Sequence, residues 1–266
     1  MIACALVAAK LLIPVAHVEA GLRSFDMSMP GEINRILTDR ISDLLFTPSP
    51  DADQNLANEG VKAENIKLVG NIMIDSLLNH SKKSEKSDIH KKLNVSKGTY
   101  ALITLHRPSN VDDKNTFSGI MEALETIGKD IPLIFPAHPR TSKMINEFDF
   151  DSRINQIPNF VVTKPLGYLD FLALMKNAKV VLTDSGGLQE ETTALGIPCI
   201  TIRENTERPI TVEQGTNTVV GNSTENIVKE WKNIANTGGK KGRIPEMWDG
   251  KTAERIGKAI VEYFDN

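Results

Sequence analysis

Cysteine is nearly absent. The 266 residues hold two, Cys4 and Cys199. They stand far apart with no CxxC spacing, so neither a zinc-binding nor a disulfide framework is indicated. Both lie in apolar stretches that suit buried thiols, and a reducing cytoplasm is the expected setting. Long apolar runs are missing too. The charge-free opening, residues 1–9, ends at Lys10. A membrane-spanning helix needs roughly 20 apolar residues, and the basic start of a signal peptide is lacking. Nor is there an excess of positive charge. The chain carries 31 Lys and Arg against 34 Asp and Glu, a net charge of −3, whereas nucleic-acid binders carry a basic face. HExxH, GxSxG, GxxxxGK[ST] and GxGxxG do not occur. Their absence removes the common zinc hydrolase, serine esterase, P-loop and dinucleotide-fingerprint readings.

What is present alternates. Apolar, β-branched runs at Ile13–Val18, Leu44–Thr47, Ile66–Val69, Tyr100–Leu105, Pro132–Pro136, Phe160–Val162, Val180–Thr183 and Cys199–Ile202 predict strands. Helical periods lie between most of them. Ile33, Ile36, Leu37, Ile41 and Leu44 mark one face of a helix over Glu32–Leu45, and Phe117, Ile120, Met121, Leu124 and Ile127 mark another. Alternating strand and helix means an α/β fold with a mainly parallel sheet. The opening IACALVAAKL is apolar nearly all round, so a helix buried on more than one side is expected. A globular chain rarely opens that way, and sequence is expected to be missing upstream. The lysine- and serine-rich stretch 80–98 reads as a linker between two α/β units, or as a solvated loop or helix face. Residues 1–79 are then the remnant of a first domain and 99–251 a nearly complete second one. The final helix, within 252–266, shows Ile256, Ala259, Ile260 and Tyr263 on one side and is expected to pack.

Four segments carry candidate chemistry. In VVLTDSGGLQEETTALGIPCI (180–200) a strand runs into Ser185-Gly186-Gly187 and then a helix from about Leu188. Glycines admit a ligand close to the backbone, and helix N–H groups favour an anion such as phosphate. Glu191, about one turn in, is placed to accept from vicinal hydroxyls such as those of a ribose. A plain βα turn, with the acids complementing the helix dipole, fits the same residues. HVEAGLRSFDMSMPGEINR (17–35) follows a strand directly, where ligands of open α/β sheets bind. Glu19 and Glu32 are candidate acid/base groups, and Arg23 and Arg35 suit phosphate. The alternative makes Glu32 a helix-dipole partner and the arginines surface charges. ITLHRPSN (103–110) and PAHPRT (136–141) place His106, Arg107, His138 and Arg140 past strand ends. There a histidine donates to a substrate oxygen, moves a proton, or merely caps the sheet edge. The two clusters are expected to face one crevice. In IRENTERPIT (202–211), Arg203 and Arg208 suit phosphate and Glu207 suits an ion pair with one of them.

Taken in order, HVEAGLRS, INR, LFTPS, VGN, HRPSN, HP, TDSGGLQEE, LGIP and TERPIT resemble the non-hydrolysing UDP-N-acetylglucosamine 2-epimerases along essentially the whole chain. The resemblance implies two Rossmann-like halves, as in the GT-B glycosyltransferase fold, with the first half incomplete and the final helix crossing back to it. It implies that Glu19 works at the sugar and that His106 lies near the phosphates. Ser185, Gly186 and Gly187 hold the diphosphate, Glu191 holds the ribose, and Arg208 lies near the same site. GYLDF (167–171) lies beside the uracil. Two departures stand out. The family usually shows two adjacent acids before INR, where this chain has Gly31-Glu32, and the first of those acids has been assigned a catalytic role in the family. The family also has a further half-domain upstream, so this looks like an amino-terminally truncated member.

The implied activity interconverts UDP-GlcNAc and UDP-ManNAc by C2 epimerisation, through elimination and re-addition of UDP, as in cell-surface polysaccharide biosynthesis. The substrate is a UDP-sugar, and neither metal nor redox cofactor is needed. A cytoplasmic homodimer free of nucleic acid and membrane is implied. Truncation is expected to leave UDP binding weak and turnover low. A GT-B-type glycosyltransferase, a non-catalytic UDP-sugar-binding fragment and a hydrolysing epimerase are the alternatives.

Overall fold

The computed structural model describes residues 1–265. Nine strands occur among them: β1 (Ala16–Val18), β2 (Leu44–Thr47), β3 (Ile66–Leu68), β4 (Ala101–Thr104), β5 (Leu133–Pro136), β6 (Phe160–Thr163), β7 (Val180–Thr183), β8 (Cys199–Thr201) and β9 (Asn217–Val219). All pair in parallel. The chain divides into two compact units. One comprises residues 1–79, 206–213 and 244–266, and the other residues 80–205 and 214–243. The expected α/β class is borne out, and eight of the nine strands fall on the runs that periodicity marks. β9 is the one missed, because Asn217-Thr218-Val219 is short and half polar.

The second unit holds a six-stranded sheet in the order β6-β5-β4-β7-β8-β9. Numbered within the unit, that order is 3-2-1-4-5-6, the doubly wound arrangement of dinucleotide-binding folds. The order reverses between β4 and β7, so the crossovers leave to opposite sides there. A crevice forms outside the carboxyl ends of those two strands. The inner strands β4, β5, β7 and β8 are buried on both faces, as parallel sheets require, and the edge strands β6 and β9 only in part. The helix Lys114–Gly128 buries Phe117, Ile120, Met121, Leu124 and Ile127, the face its sequence marks. Ile227, Trp231 and Ile234 of the helix Thr224–Thr237 join the same core. The Trp231 indole N–H donates to Asp130 at 2.9 Å, so the largest side chain of the core buries no unmet donor.

The first unit has a three-stranded sheet, β1-β2-β3. The helix Thr252–Asp265 packs Ile256, Ala259 and Ile260 on Leu44, Phe46 and Val69. Its first turn is capped by Asp75, which accepts from the N–H groups of Thr252 and Ala253 at 3.1 and 2.8 Å.

Two expectations fail in this unit. The opening helix Ile2–Lys10 buries Ala5 alone; Leu6, Val7 and Cys4 are exposed. Most of its apolar circumference is therefore open rather than covered by neighbouring elements. The second helix ends at Arg40 instead of Leu45, and Ile33 and Leu37 on its apolar face are exposed. The buried positions are instead Glu32, Thr38 and Asp39, a polar face turned inward toward the loop that it holds. No helix among the described residues is long and apolar enough to cross a membrane. The lysine-rich stretch carries the end of the helix Ile72–Ser84 and the short helix Ile89–Lys92. It belongs to the second unit.

Candidate active site

At the switch point, β4 ends at Thr104 and the chain turns through His106 and Arg107. β7 ends at Thr183 and turns through Asp184 and Ser185 into the helix Gly186–Leu195. Thr104 and Thr183 are register partners whose hydroxyls hydrogen-bond at 2.7 Å. One step further, Asp184 is fully buried and accepts from four donors. The backbone N–H groups of His106 and Arg107 each lie 2.9 Å from Oδ2. The Asn110 amide donates to Oδ2 at 3.2 Å, and His106 Nδ1 lies 2.8 Å from Oδ1. In return, Arg107 Nε donates to the Asp184 carbonyl at 2.9 Å. Burial pushes the Asp184 carboxyl up. The bond and charge of His106, and the two N–H groups, outweigh it and hold the carboxyl below its ordinary value.

His106 is thus anchored on Nδ1 while its side chain stays 42% exposed. His138, after β5, lies beside it, with ring centroids 5.8 Å apart. Its Nδ1 accepts the Arg140 N–H at 3.2 Å and caps the helix Pro139–Glu147, so its Nε2 carries the proton. Both histidines and Ser185 line a crevice of about 210 Å³ that Leu166 and Phe171 also border. Arg140 is paired with Asp112 rather than set in the crevice. The helix Gly186–Leu195 begins at the glycines, two residues earlier than Leu188. Ser185 at its N-cap gives no side-chain cap, so the first-turn N–H groups remain available to an anion. Gly196 ends the helix at φ +69, a left-handed conformation suited to glycine.

Glu191 lies in the second turn of that helix, buried. The Tyr168 hydroxyl donates to it at 3.3 Å. Burial, only partly offset by that bond, raises its pKa to about 7. Tyr168 is raised in turn to about 12, chiefly by burial and then by Glu191. Tyr168 belongs to the GYLDF stretch, so that segment and the Glu191 helix meet. A wider cavity of about 740 Å³, bordered by Glu204, Asn222 and Glu230, shares none of these residues. It gathers no histidine and no helix glycines. We therefore place the candidate site at the switch point.

In the first unit, the loop after β1 is organised by Asp39. Its carboxylate takes His17 Nδ1 at 2.5 Å, Arg23 Nη1 at 2.7 Å and the Gly21 N–H at 3.1 Å. Arg23 also makes two bonds to Glu59, at 2.7 and 2.8 Å. It is buried and already paired, which corrects its reading as a phosphate ligand. Arg35 is likewise paired with Glu32. Glu32 itself is fully buried. Its oxygens accept the N–H groups of Ser24, at 2.9 and 3.1 Å, and of Phe25, at 2.8 Å. Burial pushes its carboxyl up, but these donors and Arg35 bring it below its ordinary value. Those bonds make it the clasp of the loop. Gly31 beside it has room: a Cβ there would meet only Arg35 Nη1, at 3.6 Å. Glu19 follows β1 with φ +65, a left-handed backbone that a non-glycine residue adopts at a cost. The chain stays tight two residues on, at Gly21. Gly21 has φ +78, and a Cβ there would lie 2.4 Å from the Ala52 carbonyl oxygen. Glu207 and Arg208 form the expected ion pair, at 2.5 Å.

His106, Arg107, His138, Ser185, Gly186, Gly187 and Glu191 all belong to the second unit; Glu19, Glu32 and Arg208 belong to the first. Sequence reasoning passed over Asp184 and Asn110 as site residues. The aspartate follows a strand and precedes the glycines in TDSGG, which was the available signal.

A doubly wound sheet with an anion-ready helix and anchored histidines at its switch point defines a nucleotide-binding α/β protein. A family model described as UDP-N-acetylglucosamine 2-epimerase matches residues 1–261, and the chain belongs to that family. It is 46% identical over 268 residues to the UDP-N-acetylglucosamine 2-epimerase of Methanocaldococcus jannaschii, covering 98% of this chain and 72% of that one. It is 43% identical over 231 residues to the UDP-2,3-diacetamido-2,3-dideoxy-D-glucuronate 2-epimerase of Pseudomonas aeruginosa, covering 86% of this chain and 62% of that one. The M. jannaschii crystal structure in complex with UDP-GlcNAc and UDP superposes with a TM-score of 0.90 at 45% identity, over 98% of this chain and 72% of that one. The GT-B-type fold class that the motifs imply is borne out.

The raised Glu191 pKa makes a stability prediction. An acid whose folded pKa exceeds its unfolded value costs stability as pH rises from about 4.5 to about 7. Glu191→Gln removes that cost. The variant therefore gains on the parent chain between pH 5 and 7, by of order 2 kcal/mol, with no further gain above pH 8. Urea unfolding of both at several pH values reads the difference. A pH-independent difference contradicts the assignment.

Proposed function

We propose that this chain interconverts UDP-GlcNAc and UDP-ManNAc by inverting C2 of the sugar. The convergence of His106, Ser185 and the glycine-started helix at the switch point carries the reading, within the family to which the chain belongs. The C2 proton is only weakly acidic, because no carbonyl is attached to C2. Elimination is the accessible route. A base removes the C2 proton as UDP leaves C1, giving a glycal. UDP then adds back, and a proton reaches C2 from the opposite face. The departing diphosphate develops charge, which preorganised donors must meet. The first-turn N–H groups at Gly186 and Gly187, with His106 and His138, are the groups assigned to it, and Arg107 fixes the turn through Asp184. Glu191 accepts from the ribose hydroxyls. The family resemblance assigns Glu19 to the sugar and Arg208 to the nucleotide, and both roles belong to this proposal. Glu32 is left holding its loop. A homodimer acting in the cytoplasm goes with this reading.

Proton NMR of UDP-GlcNAc in D2O with this chain is the test. The C2 proton signal is expected to be lost slowly, in step with the low turnover expected of this chain, as UDP-ManNAc appears. UDP bound with C2 intact would reduce the chain to a binding module. Free ManNAc with UDP would make it a hydrolysing enzyme.

UDP affinity supplies a second check. Ribose hydroxyls bond more strongly to the ionised Glu191 carboxylate than to the protonated acid, so binding through it strengthens as pH rises to about 7. The ratio of parent to Glu191→Gln affinity, by calorimetry, is expected to rise between pH 5 and 7, by at most about tenfold per pH unit, and then level. A constant ratio would remove Glu191 from the ribose site.

A further inference from the structure

We infer that Asp184 is a positioning residue: it fixes the proton of neutral His106 on Nδ1, so that His106 must take up a second proton before it can donate to a bound diphosphate. The inference rests on the reading above for its ligand, but its geometry stands alone. Asp184 accepts two backbone N–H groups and an amide on Oδ2. Those donors cannot reverse their polarity. With these bonds holding Asp184 ionised, its carboxylate offers only an acceptor to His106 Nδ1, 2.8 Å away. Nδ1 must be the protonated nitrogen, and Nε2 of the neutral ring holds a lone pair.

A lone pair facing a phosphate oxygen is repulsive. The imidazolium reverses this, donating from Nε2 while Asp184 stabilises the cation. The proton comes from solvent and is taken up as the ligand binds. The charged and titratable groups facing His106 are Asp184 from the β7 end, His138 from the β5 end and its neighbour Arg107. His138 has the opposite tautomer, with Nε2–H set by the Arg140 amide, so it donates without taking up a proton. The crevice thus pairs a fixed donor with a proton carrier.

Asp184→Asn separates positioning from bulk. The amide oxygen must serve the backbone N–H pair, which turns the NH2 group toward His106 Nδ1 and moves the ring proton to Nε2. The logic is that of an aspartate that sets a catalytic histidine's tautomer in other enzymes.

The first measurement uses the unmodified chain. Nitrogen-15 NMR of the His106 ring above pH 8, without ligand, is expected to show Nδ1–H. A predominantly Nε2–H ring overturns the inference, whether or not UDP binds and whether or not any variant folds. The second is UDP calorimetry at pH 8 in buffers of different ionisation enthalpy. Net proton uptake on UDP binding is expected in the parent chain, with less in Asp184→Asn. The variant's exchange rate at C2 is expected to fall by about 100-fold or more, with its UDP affinity changed far less. An unaltered tautomer and unaltered proton uptake in a folded Asp184→Asn overturn the inference. A purely structural role would lower stability and leave both unmoved. Failure of UDP to bind, with the Nδ1–H ring seen, would sink the functional reading and leave the tautomer assignment intact.

Discussion

The buried carboxylate of Asp184 is the constraint on which the second unit's site depends. It stands where β4 and β7 separate, and it satisfies two backbone N–H groups that have no strand partner beyond the sheet. An unmet buried N–H costs free energy comparable to a lost hydrogen bond. Without the carboxylate, both of those N–H groups are left unmet in the turn after β4. With it, the same group that closes the turn also anchors the His106 ring. The Arg107 guanidinium binds the Asp184 carbonyl, so the start of the glycine helix is tied to the same turn. Folding and site geometry are one set of bonds here.

The first unit repeats the device with different residues. Asp39 sits buried under the loop after β1 and gathers His17, Gly21 and Arg23, while Glu32 clasps the far end of that loop at Ser24 and Phe25. Buried carboxylates of this kind are stable because each is fully hydrogen-bonded and paired. Their job is to hold loops that parallel sheets leave irregular. The strained backbone at Glu19 persists because the loop around it is over-determined. Glu191 is the exception among these acids. It is buried with a single long bond to Tyr168, and that shortage of partners is why its carboxyl rises to about 7. A group left short of donors on a helix beside an anion-ready N-terminus is one that a ligand can complete.

Much of the fold was legible because parallel strands buried on both faces read as continuous apolar runs. β7, VVLT, could be read in that way, and so could the face of Lys114–Gly128. β9 could not, since three residues carry no period. The inward polar face of Pro30–Arg40 misled the reading. Periodicity counts Ile33 and Leu37 as core, whereas here the buried groups are Glu32 and Asp39 serving a loop. The site was half legible. Strand-end histidines and the Ser-Gly-Gly turn stand out by residue type. The partner that orients His106 does not, because Asp184 lies 78 residues away and only the strand order brings it near. Arg23 illustrates the reverse error: a basic residue after a strand suggests phosphate, yet its carboxylate partners, Asp39 and Glu59, are distant in sequence.

The central claim is that UDP is held at the β4–β7 switch point. Backbone amide chemical-shift mapping during a UDP titration tests it most directly. The account predicts that the largest shifts cluster at residues 104–107 and 185–191 and at Tyr168. Shifts centred instead on Glu204, Asn222 and Glu230, with residues 185–191 unmoved, would contradict it.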